Sequence, residues 1–130
     1  LINNGRVYST DVCLPISKIT ECVNFAEEQT KKFGLRAPMV GHLGDGNFHV
    51  LLPFDPEDKE MYKKIRKFND LLIKKSLELN GTITGEHGIG LHKKEYLLQE
   101  HPDNIPIMKS IKRTIDPNNI MNPGKIFDLN

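Results

Sequence analysis

Apolar residues recur along this chain with two different periods, and the switching between them lays out its elements. Arg6 to Leu14 (RVYSTDVCL) is β-branched and aromatic and reads as a strand, closed by Pro15. From Ser17, a candidate N-cap with Ile16 before it as a staple, the period becomes helical. Ile19, Cys22, Val23, Ala26 and Phe33 fall on one face, and Gly34 suits the C-cap. Ala37 to Pro53 is extended again, with strand residues at Val40 and Phe48 to Leu52. Asp55, with Pro56 at the first helical position, predicts a second helix whose core stripe is Met61, Ile65, Phe68, Leu72 and Leu79; Asn80-Gly81 ends it. A short strand, Thr82 to Thr84, runs into GEHGIG. Helices then follow over about Lys93 to Gln99 and Pro106 to Ile115, the second aligning Met108, Ile111 and Ile115 before Asp116-Pro117 stops it. The order β-α-β-α-β followed by helices predicts an α+β fold. The expectation is a ferredoxin-like antiparallel sheet with helices on one face, then C-terminal helices, all in one domain spanning residues 1–130.

Composition narrows the classes of function. A net charge of +1 gives no bulk electrostatic attraction to nucleic acid or an anionic membrane. The lysines of the second helix (Lys59, Lys63, Lys64, Lys67, Lys74 and Lys75) read as its solvated face. No apolar run approaches the roughly 20 residues of a membrane span. Cys13 and Cys22 have no metal-motif spacing and read as two reduced, half-buried thiols of an intracellular compartment. The chain opens on Leu1 with no secretory signal pattern, so a piece of a longer parent is expected.

The chemistry concentrates in two glycine-framed stretches. In GHLGDGNFHV, Asp45-Gly46 reads as the centre of a tight hairpin turn. Gly44 then pairs with Asn47, Leu43 with Phe48, and His42 with His49, which puts both imidazoles on one sheet face. A continuous strand would put them on opposite faces unless a glycine bulge restored them. In GEHGIG, Glu86 offers an oxygen ligand and His87 a nitrogen ligand or a base, with glycines that let a ligand approach the backbone. Two histidines and one carboxylate leave room for water or substrate, the pattern of catalytic zinc. The same set would serve a metal-dependent hydrolase, and histidines on strands also serve as plain hydrogen-bonded structural residues. Asp45 and Asn47 suit a turn, and His92 and His101 lie in polar surroundings that read as surface.

GHLGDGNFH, GTITGEHGIG and DPNNIMNPGKIF, in this order, resemble the C-terminal part of FAD-linked oxidases of the vanillyl-alcohol oxidase type. The nearest branch is that of D-lactate dehydrogenase and the glycolate oxidase flavin subunit, with D-2-hydroxyglutarate dehydrogenases slightly further away. The resemblance implies the latter half of a cap domain that closes over a flavin held by a separate N-terminal domain. It implies that His42, His49 and Glu86 hold a divalent metal, usually zinc, and that His87 is the general base. Asn47 would lie near the substrate carboxylate, and the tail around Asn122 would touch FAD. The implied reaction is oxidation of a D-2-hydroxy acid to a 2-oxo acid, in the mitochondrion of a eukaryote or the cytoplasm of a bacterium. The family's carboxylate-clamping arginine and lysine fall upstream of Leu1, so this piece alone is expected to be inactive. Strands missing upstream would leave a sheet edge open to self-association.

Overall fold

In the computed structural model, which describes residues 5–129, the first eighty residues deliver the expected alternation around one central strand. The elements are β1 (Arg6–Ser9), β2 (Val12–Cys13), α1 (Ile19–Phe33), β3 (Met39–Val40), β4 (Asn47–Phe54), α2 (Lys59–Glu78), α3 (Lys94–Glu100) and α4 (Ile105–Ile115). Every named strand pairs antiparallel with β4: β1 and β2 along one edge, β3 along the other. A bridge from Cys13 to Thr82 adds the stub of a last strand outside β2. The lateral order is that of a split βαβ, the first strand (β1 with β2) lying between the last stub and β4. The chain forms two compact units, Leu1–Glu86 and His87–Asn130.

The expected strand Arg6 to Leu14 is interrupted, but its register does not slip. Ser9 faces Leu51 and Val12 faces Phe48, so Thr10 and Asp11 fall opposite Val50 and His49. On β4 the positions Phe48, Val50 and Leu52 are almost wholly buried. They share one face by strand alternation and form the core with Ile65, Phe68 and Leu72 of α2 and Cys22 and Ala26 of α1. The two helices pack on each other, and Lys75 of α2 meets Glu21 of α1 at 2.8 Å. Cys13 and Cys22 are both free thiols. Burial pushes the Cys22 thiol up to about 11, which keeps it protonated and unreactive at neutral pH.

The helix boundaries show which local signals decide. Gly34 takes the left-handed conformation at φ 65°, with Leu35 N donating to Thr30 O at 2.9 Å, and closes α1 as its sequence predicts. The start of α2 differs from expectation. Asp55 accepts from Glu57 N and shapes a turn, whereas Asp58 accepts from Met61 N at 2.8 Å and is the true N-cap. Both aspartates precede a helix-forming run, and only the second has its oxygen over the first exposed amides. In the second unit the aligned face of α4 is not a closed core: Ile111 and Ile115 are exposed and Met108 is half-buried. With Ile89, Leu97 and Phe127 they line an apolar groove.

Candidate metal and substrate site

The interruption between β1 and β2 builds the site. Thr10 N donates to Val50 O at 3.1 Å, as a regular ladder requires. The return bond is changed: Val50 N donates to the Thr10 hydroxyl oxygen at 2.8 Å. The Thr10 carbonyl is thereby freed, and it lies 2.8 Å from Nδ1 of His49. A carbonyl oxygen only accepts, so Nδ1 carries the proton and donates to it. In the neutral ring Nε2 is then a lone pair, and it points at Oε1 of Glu86, 2.9 Å away. Two acceptors at this distance repel unless something positive joins them. A proton would do so, giving an imidazolium–carboxylate pair. A metal ion bound by both would do so as well.

The surroundings fit a cation. Backing of a histidine ligand by a carbonyl on its other nitrogen is the usual support for a metal-bound imidazole. The His49 side chain is 9% exposed and that of Glu86 47%, so one donor is fixed in the sheet and the other reaches in from an accessible loop. Asp11, buried beneath them, adds negative charge 3.8 Å from Nδ1 of His49. It accepts from the Thr84 hydroxyl at 2.7 Å and from Glu86 N at 3.2 and 3.3 Å. Asn47, two positions from His49 on the same face of β4, is buried, and its Oδ1 has no hydrogen-bond partner among the described residues. That orphaned acceptor marks polar space that a ligand's donor or a water would complete. Gly85 makes the close packing possible: a Cβ there would lie 2.6 Å from Asn47 Nδ2 and 2.9 Å from Asp11 Oδ1.

The hairpin register corrects one expectation. Val40, not His42, faces His49, and Met39 faces Val50. The loop is a helical turn at Leu43–Asp45 completed by Gly46 at φ 83°, and Asn47 N donates to His42 O at 3.3 Å. This turn moves the symmetry axis by one residue from the one that the paired histidines imply, so the partner of His49 shifts by two positions. Gly41 is the tight point, since a Cβ on it would lie 2.5 Å from Asn47 O and from Phe48 Cα. His42 is exposed at the loop's base. Among the described residues, His42, His49 and Glu86 do not gather donor atoms all within 4.8 Å of one another. His42 remains two positions beyond Val40, which puts it diagonal to His49.

His87 follows Glu86 directly, is exposed, and opens the second unit ahead of Gly88 at φ 74°. Asn122 is exposed in the tail with a left-handed φ of 46°, its carbonyl accepting from Lys125 N. His92 and His101 are exposed, as expected. Sequence reasoning missed Thr10 and Asp11. The one available signal was the polar run Ser9-Thr10-Asp11 inside an otherwise apolar strand.

The family of FAD linked oxidases, C-terminal domain, matches residues 1–126. The chain belongs to this family. It is 42% identical over 125 residues to a probable mitochondrial D-lactate dehydrogenase of Danio rerio, covering 95% of this chain and 25% of that protein. It is 36% identical over 118 residues to the glycolate oxidase subunit GlcD of Bacillus subtilis, covering 90% and 25%. It is 36% identical over 134 residues to the D-2-hydroxyglutarate dehydrogenase of Stutzerimonas stutzeri, covering 97% and 28%. The chain thus spans about a quarter of the length of these relatives. None of its helices is long and apolar enough to cross a membrane, among the described residues.

Proposed function

We propose that this chain is the metal- and substrate-binding part of an FAD-dependent D-2-hydroxy acid dehydrogenase acting on D-lactate or a similar acid. The observation that carries this is that His49 Nε2 stands 2.9 Å from Glu86 Oε1 while Nδ1 faces the Thr10 carbonyl. His49 and Glu86 would hold a divalent metal, zinc by its donor chemistry, with His42 as the third ligand from the hairpin loop. When bound, the metal supplies Lewis acidity toward the substrate hydroxyl, and the flavin of the parent's remaining portion supplies the two-electron acceptor.

The chain's own residues do the rest. His87, next to Glu86 along the backbone, takes the hydroxyl proton, a task for which imidazole is suited near neutral pH. Asn47 borders the substrate carboxylate and fixes the face presented for hydride loss. Asn122, in the tail, contacts FAD. The product is the 2-oxo acid. Several relatives are named as mitochondrial enzymes, which favours a mitochondrial setting if the source is a eukaryote.

The test uses the full-length parent. His87→Ala keeps stoichiometric metal and lowers turnover by about 10²–10⁴-fold, whereas Glu86→Gln loses metal. Metal content measured by elemental analysis decides between the roles. Loss of metal in His87→Ala would make that histidine a ligand, and full metal in Glu86→Gln would overturn the site.

A further inference from the structure

One buried charge has no part in the function above. Asp11 lies directly across the ladder from His49, and its side chain is fully enclosed. A carboxylate withdrawn from water is costly unless donors surround it. Here two donors come from the segment that carries Glu86: the Thr84 hydroxyl on Oδ2 at 2.7 Å, and Glu86 N shared between both oxygens at 3.2 and 3.3 Å. Between them sits Gly85, where any side chain would collide with Asp11 and Asn47. The carboxylate therefore holds the loop as well as facing its sheet neighbour His49. It grips one turn of the loop, beside the ring that faces that loop's acid.

We propose that Asp11, with the Thr84 hydroxyl as its partner, is a positioning residue that holds Glu86 opposite Nε2 of His49 before metal arrives. This deepens, and rests on, the metal-binding function proposed above. The loop residue Glu86 is half exposed and would otherwise sample many orientations. Anchoring its own amide and the hydroxyl two residues earlier restricts the backbone from which its carboxylate projects. Asp11 touches no metal in this scheme, and its effect appears as preorganisation of a ligand.

The experiment measures zinc affinity of the full-length parent by competition with a chromophoric chelator, alongside thermal unfolding of the metal-free protein. Thr84→Val should weaken zinc about 10-fold and Asp11→Asn about 10–100-fold. Thr84→Ser, which keeps the hydroxyl, should stay within about twofold of the native protein. A merely structural contact would lower metal-free stability and leave affinity unchanged. If Glu86→Gln weakens zinc while Thr84→Val leaves it within twofold, the positioning role is overturned and the metal site stands. Equal loss in Thr84→Ser and Thr84→Val overturns it also. Should Asp11→Asn fail to fold, the two Thr84 variants decide. If Glu86→Gln leaves zinc affinity unchanged, the metal site itself is wrong and the positioning role falls with it.

Discussion

The hydroxyl of Thr10 stands in for its own carbonyl in the bond to Val50: Val50 N donates to Oγ1 at 2.8 Å while the carbonyl turns to His49. One side chain therefore keeps the ladder closed and sets the tautomer of the histidine at the same time. Thr10→Val cannot do both. Either the buried Val50 amide or Nδ1 of His49 loses its partner, at a cost of about 1–3 kcal/mol. Thr10→Ser keeps the oxygen and should cost under about 1 kcal/mol. Thermal unfolding of the two variants checks the order. A drop in melting temperature as large for Ser as for Val would mean that the methyl group, not the hydroxyl, carries the effect.

The glycines separate by what lies above them. Gly34 and Gly46 are both left-handed, at φ 65° and 83°. A Cβ on Gly34 would meet open space, so Gly34→Ala costs only the conformational penalty of about 1–2 kcal/mol. A Cβ on Gly46 would fall 2.1 Å from Leu14 O, across the tie in which Leu14 N donates to Gly46 O at 2.9 Å. Gly46→Ala must therefore move the loop bearing His42 and should cost at least about 3 kcal/mol. Denaturant midpoints compare the two directly. Equal losses would show that the Leu14 contact yields freely.

Much of this architecture is legible from spacing. Cys22, Ala26 and Gly34 place α1, and Ile65, Phe68 and Leu72 place the buried face of α2, because helical periodicity and caps are local properties. The sheet around β4 follows from the order of the elements. What sequence alone does not yield is register. GHLGDGNFH is nearly symmetric about its centre, but a helical turn at Leu43–Asp45 displaces the axis, so His49 faces Val40. Asp11 is hidden for a similar reason. Its partner Thr84 is 73 positions away and His49 lies across a ladder, so nothing near it in the chain announces a site. The glycine-framed motifs point to Glu86 and His49; only pairing brings in Thr10 and Asp11.

Asp116 gives the second unit a pH-dependent clasp. Its carboxylate accepts from Ile120 N at 3.0 Å and Met121 N at 2.9 Å and pairs with the Lys112 ammonium. Lys112 in turn donates to Met121 O at 2.6 Å, so the last turn of α4 and the start of the tail close on one another. The Lys112 hydrogen bond, followed by the backbone amides, holds the Asp116 carboxyl below its ordinary value. A carboxylate that is more acidic when folded stabilises the fold above its unfolded pKa, and that contribution is lost as pH falls through the folded value. The clasp is therefore complete at neutral pH; its contribution declines below about pH 4 and is lost as pH falls through the lower folded value. Asp116→Asn should lower stability at pH 7 and narrow the gap to the native protein at acid pH. Unfolding followed at pH 7 and at about pH 3 tests this, because a gap that stays constant or widens in acid would show that the charge of Asp116 contributes nothing.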